Sequence, residues 1–166
     1  MSVTFFSRKK EYQSLSNFSD HPVVLNETKY YCGEVCFQAQ KFIQVAHSSS
    51  EPRRGELLEW ARKISVKTDA NVARKMGRQF VLTPVELSIW NKASIHVQVA
   101  ICRYKFENYE DVRADLRKSG DKILIHPCRC NDEAIKSRTW EGRLIEDVVV
   151  GGNMLGKLWM EFRSFL

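Results

Sequence analysis

No stretch of this 166-residue chain comes near the roughly 20 apolar residues that a bilayer-spanning helix needs, so a membrane protein is not expected. The opening MSVTFFSRKKEY puts charges where a secretion signal needs its apolar region. A cytoplasmic protein is expected, or a nuclear one in a eukaryote. There is no internal repeat, low-complexity segment or linker, which leaves one domain over residues 1–166. The cysteines, at 32, 36, 102, 128 and 130, are odd in number and cannot all pair within the chain. Cys32, Cys36, Cys128 and Cys130 lack the C-x2-C spacing of a strong zinc site, so free thiols are expected, with no metal and no cofactor. Only RKK (8–10) and PRR (52–54) concentrate basic residues, which falls short of a dedicated nucleic-acid groove. His21, His47, His96 and His126 form no spacing that reads as a site.

What is present suits a folded chain with a basic bias. Hydrophobic residues make up 43% and charged residues 28%, a balance that buries a core and excludes a disordered protein. The formal net charge of +6 raises the local concentration of phosphates and polyanions, which favours anionic, nucleotide-like partners.

Periodicity predicts helices after a short-stranded start. VTFF (3–6) reads as a strand, SLSNFSDHP (14–22) as a polar loop, and VVL and TKYYC as strands around an Asn26-Glu27 turn. A helix is predicted from about Glu34 to Ala46, a second with Leu57, Leu58, Ala61 and Ile64 inward, and a third from Asp69 to Met76 with Gly77 ending it. In TPVE (83–86) a Thr cap, a Pro at the first helical position and a Glu at the third form a capping box. It opens a long helix to about Phe106, whose Ile89, Ala93, Val97, Ala100 and Tyr104 predict a buried stripe. Another helix ends at Lys118, KILIH (122–126) reads as a strand, and residues 127–152 look irregular. The closing NMLGKLWMEFRSFL is an amphipathic helix with Leu155, Leu158, Trp159, Phe162 and Leu166 inward.

The first predicted helix carries an unusual strip, GEVCFQAQKF (33–42). At about 100° per residue, Glu34, Gln38 and Lys41 share an arc of roughly 60°, flanked by Phe37 and Phe42. From spacing alone such a strip is a solvated face. A walled amine is the other reading, and the cost of burying one is accepted where it does chemistry or anchors an anion.

LSNF (15–18), E-x2-FQAQKF (34–42), ARKMGR (73–78), Trp90, KF (105–106), GD (120–121), Trp140 and GNMLGKLWMEFR (152–163) occur in the order seen in the NADAR superfamily of YbiA-like N-glycosidases. The chain resembles that superfamily over nearly its whole length. The resemblance implies a helix-rich α+β single domain with a few short strands. It also implies a hydrolase that breaks the bond between ribose C1 and an exocyclic base amine. Family substrates are phosphorylated ribosylamino-pyrimidines of the riboflavin pathway and ADP-ribose attached to guanine. In both, the sugar can open to an imine that a neutral lysine attacks, leaving a Schiff base for water to hydrolyse. The family lysine maps to Lys41, with Glu34 as proton carrier and Gln38 orienting either group or a ribose hydroxyl.

The second half of the expected site is spread along the chain. Gly152 and Asn153 open the last helix, where Asn153 as N-cap would turn free amides toward a phosphate, with Lys157 one turn on. Trp90 and Trp140 could stack on a base; Asn17 and Phe18 are further candidates of that kind. The family shows an Asp shortly before Trp-Gly-x-Gly, whereas this chain reads CNDEAIKSRTWEGRL. Asp132, eight residues before Trp140, is the expected acid, with Glu133 and Glu141 as alternatives. The favoured activity is removal of ADP-ribose from guanine in DNA or RNA. The alternatives are cleavage of a riboflavin-pathway intermediate and a nucleotide or ADP-ribose binding module without turnover.

Overall fold

The computed structural model describes residues 1–5 and 9–166. Phe6 of the expected first strand and Arg8 of the RKK cluster lie outside the described residues. The elements run β1 (Ser2–Thr4), a 3-10 turn (Gln13–Leu15), β2 (Val23–Leu25), β3 (Thr28–Tyr30), α1 (Gly33–Ala46), α2 (Arg53–Ser65), α3 (Ala70–Gln79), α4 (Pro84–Asn108), α5 (Glu110–Ser119), β4 (Ile123–Ile125), α6 (Asp132–Ile135), β5 (Arg143–Ile145), β6 (Val148–Val150) and α7 (Met154–Arg163). This is a helix-rich α+β fold, and no helix among the described residues is long and apolar enough to cross a membrane. The chain forms two compact units, one of Asp20–Tyr104 and one of Met1–Ser19 with Lys105–Leu166.

In the Asp20–Tyr104 unit, β2 and β3 pair antiparallel around Asn26 and Glu27, both with positive φ as a two-residue hairpin turn requires. α1, α2 and α3 pack together behind it. Leu57, Ala61 and Ile64 are buried on α2, while Leu58 is exposed, so the inner stripe is narrower than expected. α3 is capped by Asp69, whose carboxylate accepts from the amides of Asn71 (2.8 Å) and Val72 (3.3 Å). Its buried residues are Ala70, Ala73 and Gly77, small enough for another helix to approach closely. Phe80 then covers the layer, with ring centroids 5.4 Å from Phe42 and 5.9 Å from Trp60.

Two expectations are corrected here. α3 does not stop at Met76: Gly77 keeps helical backbone and the helix runs on to Gln79. The glycine serves packing, not termination, because a Cβ there would overlap the Gln38 side chain. In α4 the capping box is present, with the Glu86 amide bonded to Thr83 Oγ1 (3.2 Å) and the Thr83 amide to Glu86 Oε1 (2.9 Å). Its buried face, however, is Trp90, Ser94, Val97, Gln98, Ile101, Cys102 and Lys105, while Ile89, Ala93, Ala100 and Tyr104 are only partly covered. Polar residues at 94, 98 and 105 hide this face from a hydrophobic count.

In the other unit, β1 and β4 pair in parallel, Val3 opposite Leu124. Lys105, fully buried, donates to Ser16 O (2.9 Å) and Ser19 Oγ (3.0 Å), and Trp159 Nε1 donates to Leu15 O (2.8 Å), which secures the 15–19 segment. α7 ends at Arg163, so Leu155, Leu158 and Trp159 are buried as expected, whereas Phe162 is partly covered and Leu166 exposed. The region 127–152 is not irregular throughout. β5 and β6 form a hairpin whose turn residues, Glu146 and Asp147, both have positive φ.

Candidate active site

α1 carries the polar strip on one face. Its N-terminus suits a carboxylate, since Glu34 sits in the first turn where the helix dipole is positive. Glu34 is nevertheless buried, 7% exposed, and its carboxylate accepts from Gln38 Nε2 at 2.8 Å, one turn along. The other end of the Gln38 amide presses on Gly77 of α3, where no Cβ intervenes. Lys41 is half-buried, and its Nζ donates to the carbonyl of the same Gly77 at 2.9 Å. Burial holds its pKa below the ordinary lysine value, and the positive charge of Arg78 lowers it further. The amine also lies 5.5 Å from the Phe42 ring centroid. The strip is therefore walled, not solvated: one carboxylate, one amide and one amine fastened along two helical turns by each other and by α3.

Trp90, also in this unit, is 6% exposed and meets Phe37 edge to face, with ring centroids 5.0 Å apart at 64°. Its ring packs in the core of the unit against the α1 wall, the alternative to stacking on a base.

The remaining expected residues belong to the other unit. Asn17 and Phe18 are half-buried in the segment fixed by Lys105, with the Phe18 amide on Ser16 Oγ at 3.1 Å. Trp140 is half-buried, and its carbonyl lies 3.3 Å from His126 Nδ1. Asp132 is exposed on α6 and ion-paired with Arg143 at 2.7 Å; Arg143 also holds the carbonyls of Cys128 (3.0 Å) and Cys130. The carboxylate is thus part of a surface brace between α6 and β5. Of its alternatives, Glu133 is exposed and paired with Lys136 at 2.8 Å, and Glu141 is half-buried.

Asn153 corrects the expected side-chain cap of α7. It occupies the cap position of α7 in left-handed conformation, φ 46 and ψ 37, but its side chain makes no cap bond. Instead, the 1%-exposed amide donates to Leu124 O (2.9 Å) and accepts from the His126 amide (3.0 Å), tying α7 to the end of β4. Three nearby donors are taken: the amides of Gly152, Asn153 and Met154 bond the carbonyls of Arg138, Glu141 and Thr139. Gly152 is required because a Cβ would overlap the Thr139 backbone.

The NADAR domain family matches residues 4–166. The chain belongs to the NADAR family. N-glycosidase YbiA of Escherichia coli (strain K12) is 28% identical over 164 residues, covering 99% of this chain and 88% of that one. Its counterpart from Shigella flexneri is 27% identical over the same length. The NMR structure of the Escherichia coli protein YbiA superimposes with a TM-score of 0.68 at 25% identity, over 99% of this chain and 86% of that one.

Two residues of ARKMGR frame the amine, although from sequence Gly77 is expected only to end a helix and Arg78 has no expected role. Gly77 supplies the carbonyl for Lys41 and the space for Gln38; Arg78 supplies the charge that disfavours protonation. A glycine inside an otherwise helical run, followed by an arginine on a helix without acids, is the signal that marks them.

Proposed function

We propose that this NADAR protein is an N-glycosidase that releases a base from ribose through a Schiff base on Lys41. The observation that carries this reading is the half-buried Lys41 amine, bonded to a backbone carbonyl and biased toward its neutral form, on the same helix face as a buried carboxylate. A neutral amine is what nucleophilic attack on a ribosyl imine requires. Opening of the sugar ring places a C=N bond between C1 and the base nitrogen, and the ring oxygen takes up a proton. Lys41 Nζ bonds to C1, and the base leaves as its free amine with the proton the lysine gives up. Water then replaces Nζ at C1, regenerating the enzyme and freeing the sugar aldehyde. Each stage moves protons, and Glu34, oriented by Gln38, is the carrier on this face.

ADP-ribose joined to the exocyclic amine of guanine is the favoured substrate because the chain is basic, net +6. A phosphorylated ribosylamino-pyrimidine is the second choice. Incubating the protein with ADP-ribosylated DNA and, separately, with the pyrimidine phosphate decides between them by which sugar product appears. Lys41→Ala and Lys41→Arg proteins that stay folded and release product at the wild-type rate would end the covalent route.

A further inference from the structure

A substrate of this class carries a phosphate on ribose C5, and at the expected place for it, the start of α7, the amides of Gly152, Asn153 and Met154 are bonded to backbone carbonyls. α3 offers another. Its sequence, ANVARKMGRQ, contains no acidic residue, and Arg74, Lys75 and Arg78 are all exposed. Among the described residues the Arg78 side chain makes no hydrogen bond or ion pair. Arg74 and Arg78 are four residues apart and Lys75 and Arg78 three, so the three cations adjoin on the helix surface. The Arg78 backbone is held next to the amine, because its amide nitrogen belongs to the peptide unit whose carbonyl accepts Lys41 Nζ at 2.9 Å. A guanidinium without a carboxylate partner, beside a nucleophilic amine, is a bidentate phosphate receptor in the making.

We propose that Arg78, flanked by Arg74 and Lys75, anchors the phosphate on C5 of the substrate ribose while Lys41 addresses C1. This rests on the reading of Lys41 given above. The arrangement gives Arg78 two uses in sequence. Before substrate arrives, its charge disfavours a second cation on Lys41. Once a phosphate covers it, that opposition fades, and the cationic iminium formed on Lys41 is tolerated. The same C5 phosphate occurs as a monoester in ribose 5-phosphate and as part of a pyrophosphate in ADP-ribose.

Calorimetric titration of the whole chain with ribose, ribose 5-phosphate and ADP-ribose tests this, using wild type, R78Q and R78K. Wild type is expected to bind a phosphorylated sugar more tightly than ribose, and the tighter of the two identifies monoester or pyrophosphate as the group held. R78Q should weaken that sugar by about 10- to 100-fold, the loss of one charge-assisted pair, and R78K should recover part of it. The Arg78 side chain is exposed and unpaired among the described residues, so both variants keep the fold, which circular dichroism verifies. Equal affinity of wild type and R78Q for both phosphorylated sugars, or no preference of wild type for either over ribose, overturns the anchor. Base release by wild type is measured alongside: if it persists with an unchanged R78Q titration, only the anchor falls, and if it is absent, the reading of Lys41 falls as well.

Discussion

Substituting Gly77 by alanine probes how the strip is held without touching any group proposed to react. The new Cβ would overlap Gln38 Oε1, the free end of a flexible side chain, so the amide swings away and releases its 2.8 Å bond to Glu34. Two terms nearly cancel in stability. Alanine in place of a mid-helix glycine gains about 1 kcal/mol, while displacing Gln38 and breaking one hydrogen bond costs roughly 1–2 kcal/mol. The net change in unfolding free energy should stay within about 1 kcal/mol by urea titration. Activity should not be spared. The bond orients Glu34, and a net hydrogen bond contributes about 0.5–1.5 kcal/mol, so losing that orientation lowers kcat by roughly 3- to 10-fold. Gln38→Ala alone should give the same loss, and the double variant no more than either, because both act through one contact. A fully active G77A protein, or additive losses in the double variant, would refute the coupling of Gly77, Gln38 and Glu34.

The other predictions concern charge and burial. Because burial and Arg78 hold Lys41 below the ordinary lysine value, the neutral amine becomes scarce only at lower pH, so kcat/KM should fall as pH drops through that lowered value. R78Q should move this limb to higher pH, as a pH–rate profile would register. Glu86, bonded twice by Arg53 and by the Thr83 amide, has its pKa lowered from 4.5 to about 2. A depressed carboxylate stabilises the fold above 4.5 and loses that contribution as pH falls toward 2. The shift corresponds to roughly 3 kcal/mol at most, discounted to about 1–2 kcal/mol because Arg53 is one-third exposed. Glu86→Gln should remove that acid-labile part in denaturation series from pH 7 to 2. Asn153→Ala strands the buried carbonyl of Leu124 and leaves the His126 amide without its acceptor, and should cost about 2–5 kcal/mol in urea unfolding.

Much of the architecture is legible because local chemistry states it. The Thr83 to Glu86 capping box, the Asn26-Glu27 turn and the spacing of Leu57, Ala61 and Ile64 each produce the element they predict. The hairpin at 143–150 is not legible, since Glu146-Asp147 supplies positive φ without the Asn-Gly signature that announces such a turn. α4 misleads for the opposite reason: its covered face contains Ser94, Gln98 and Lys105, buried by hydrogen bonding, so an apolar count finds the neighbouring face instead. The strip of Glu34, Gln38 and Lys41 is visible from spacing, yet its setting against Gly77 and Arg78 is a tertiary contact 36 residues away. The end of α7 shows the limit of motif reading. A Gly-Gly-Asn opening looks like a helix cap, and the backbone of 138–141 takes the amides of Gly152, Asn153 and Met154 while the Asn153 side chain bonds elsewhere.

Reductive trapping during turnover tests the central claim most directly. Wild-type protein, ADP-ribosylated guanine in DNA and cyanoborohydride should yield a stable adduct of the sugar, located by peptide mass spectrometry on Lys41 and absent from Lys41→Arg. Turnover of substrate with no adduct on Lys41, or an adduct on a different lysine, would contradict the account.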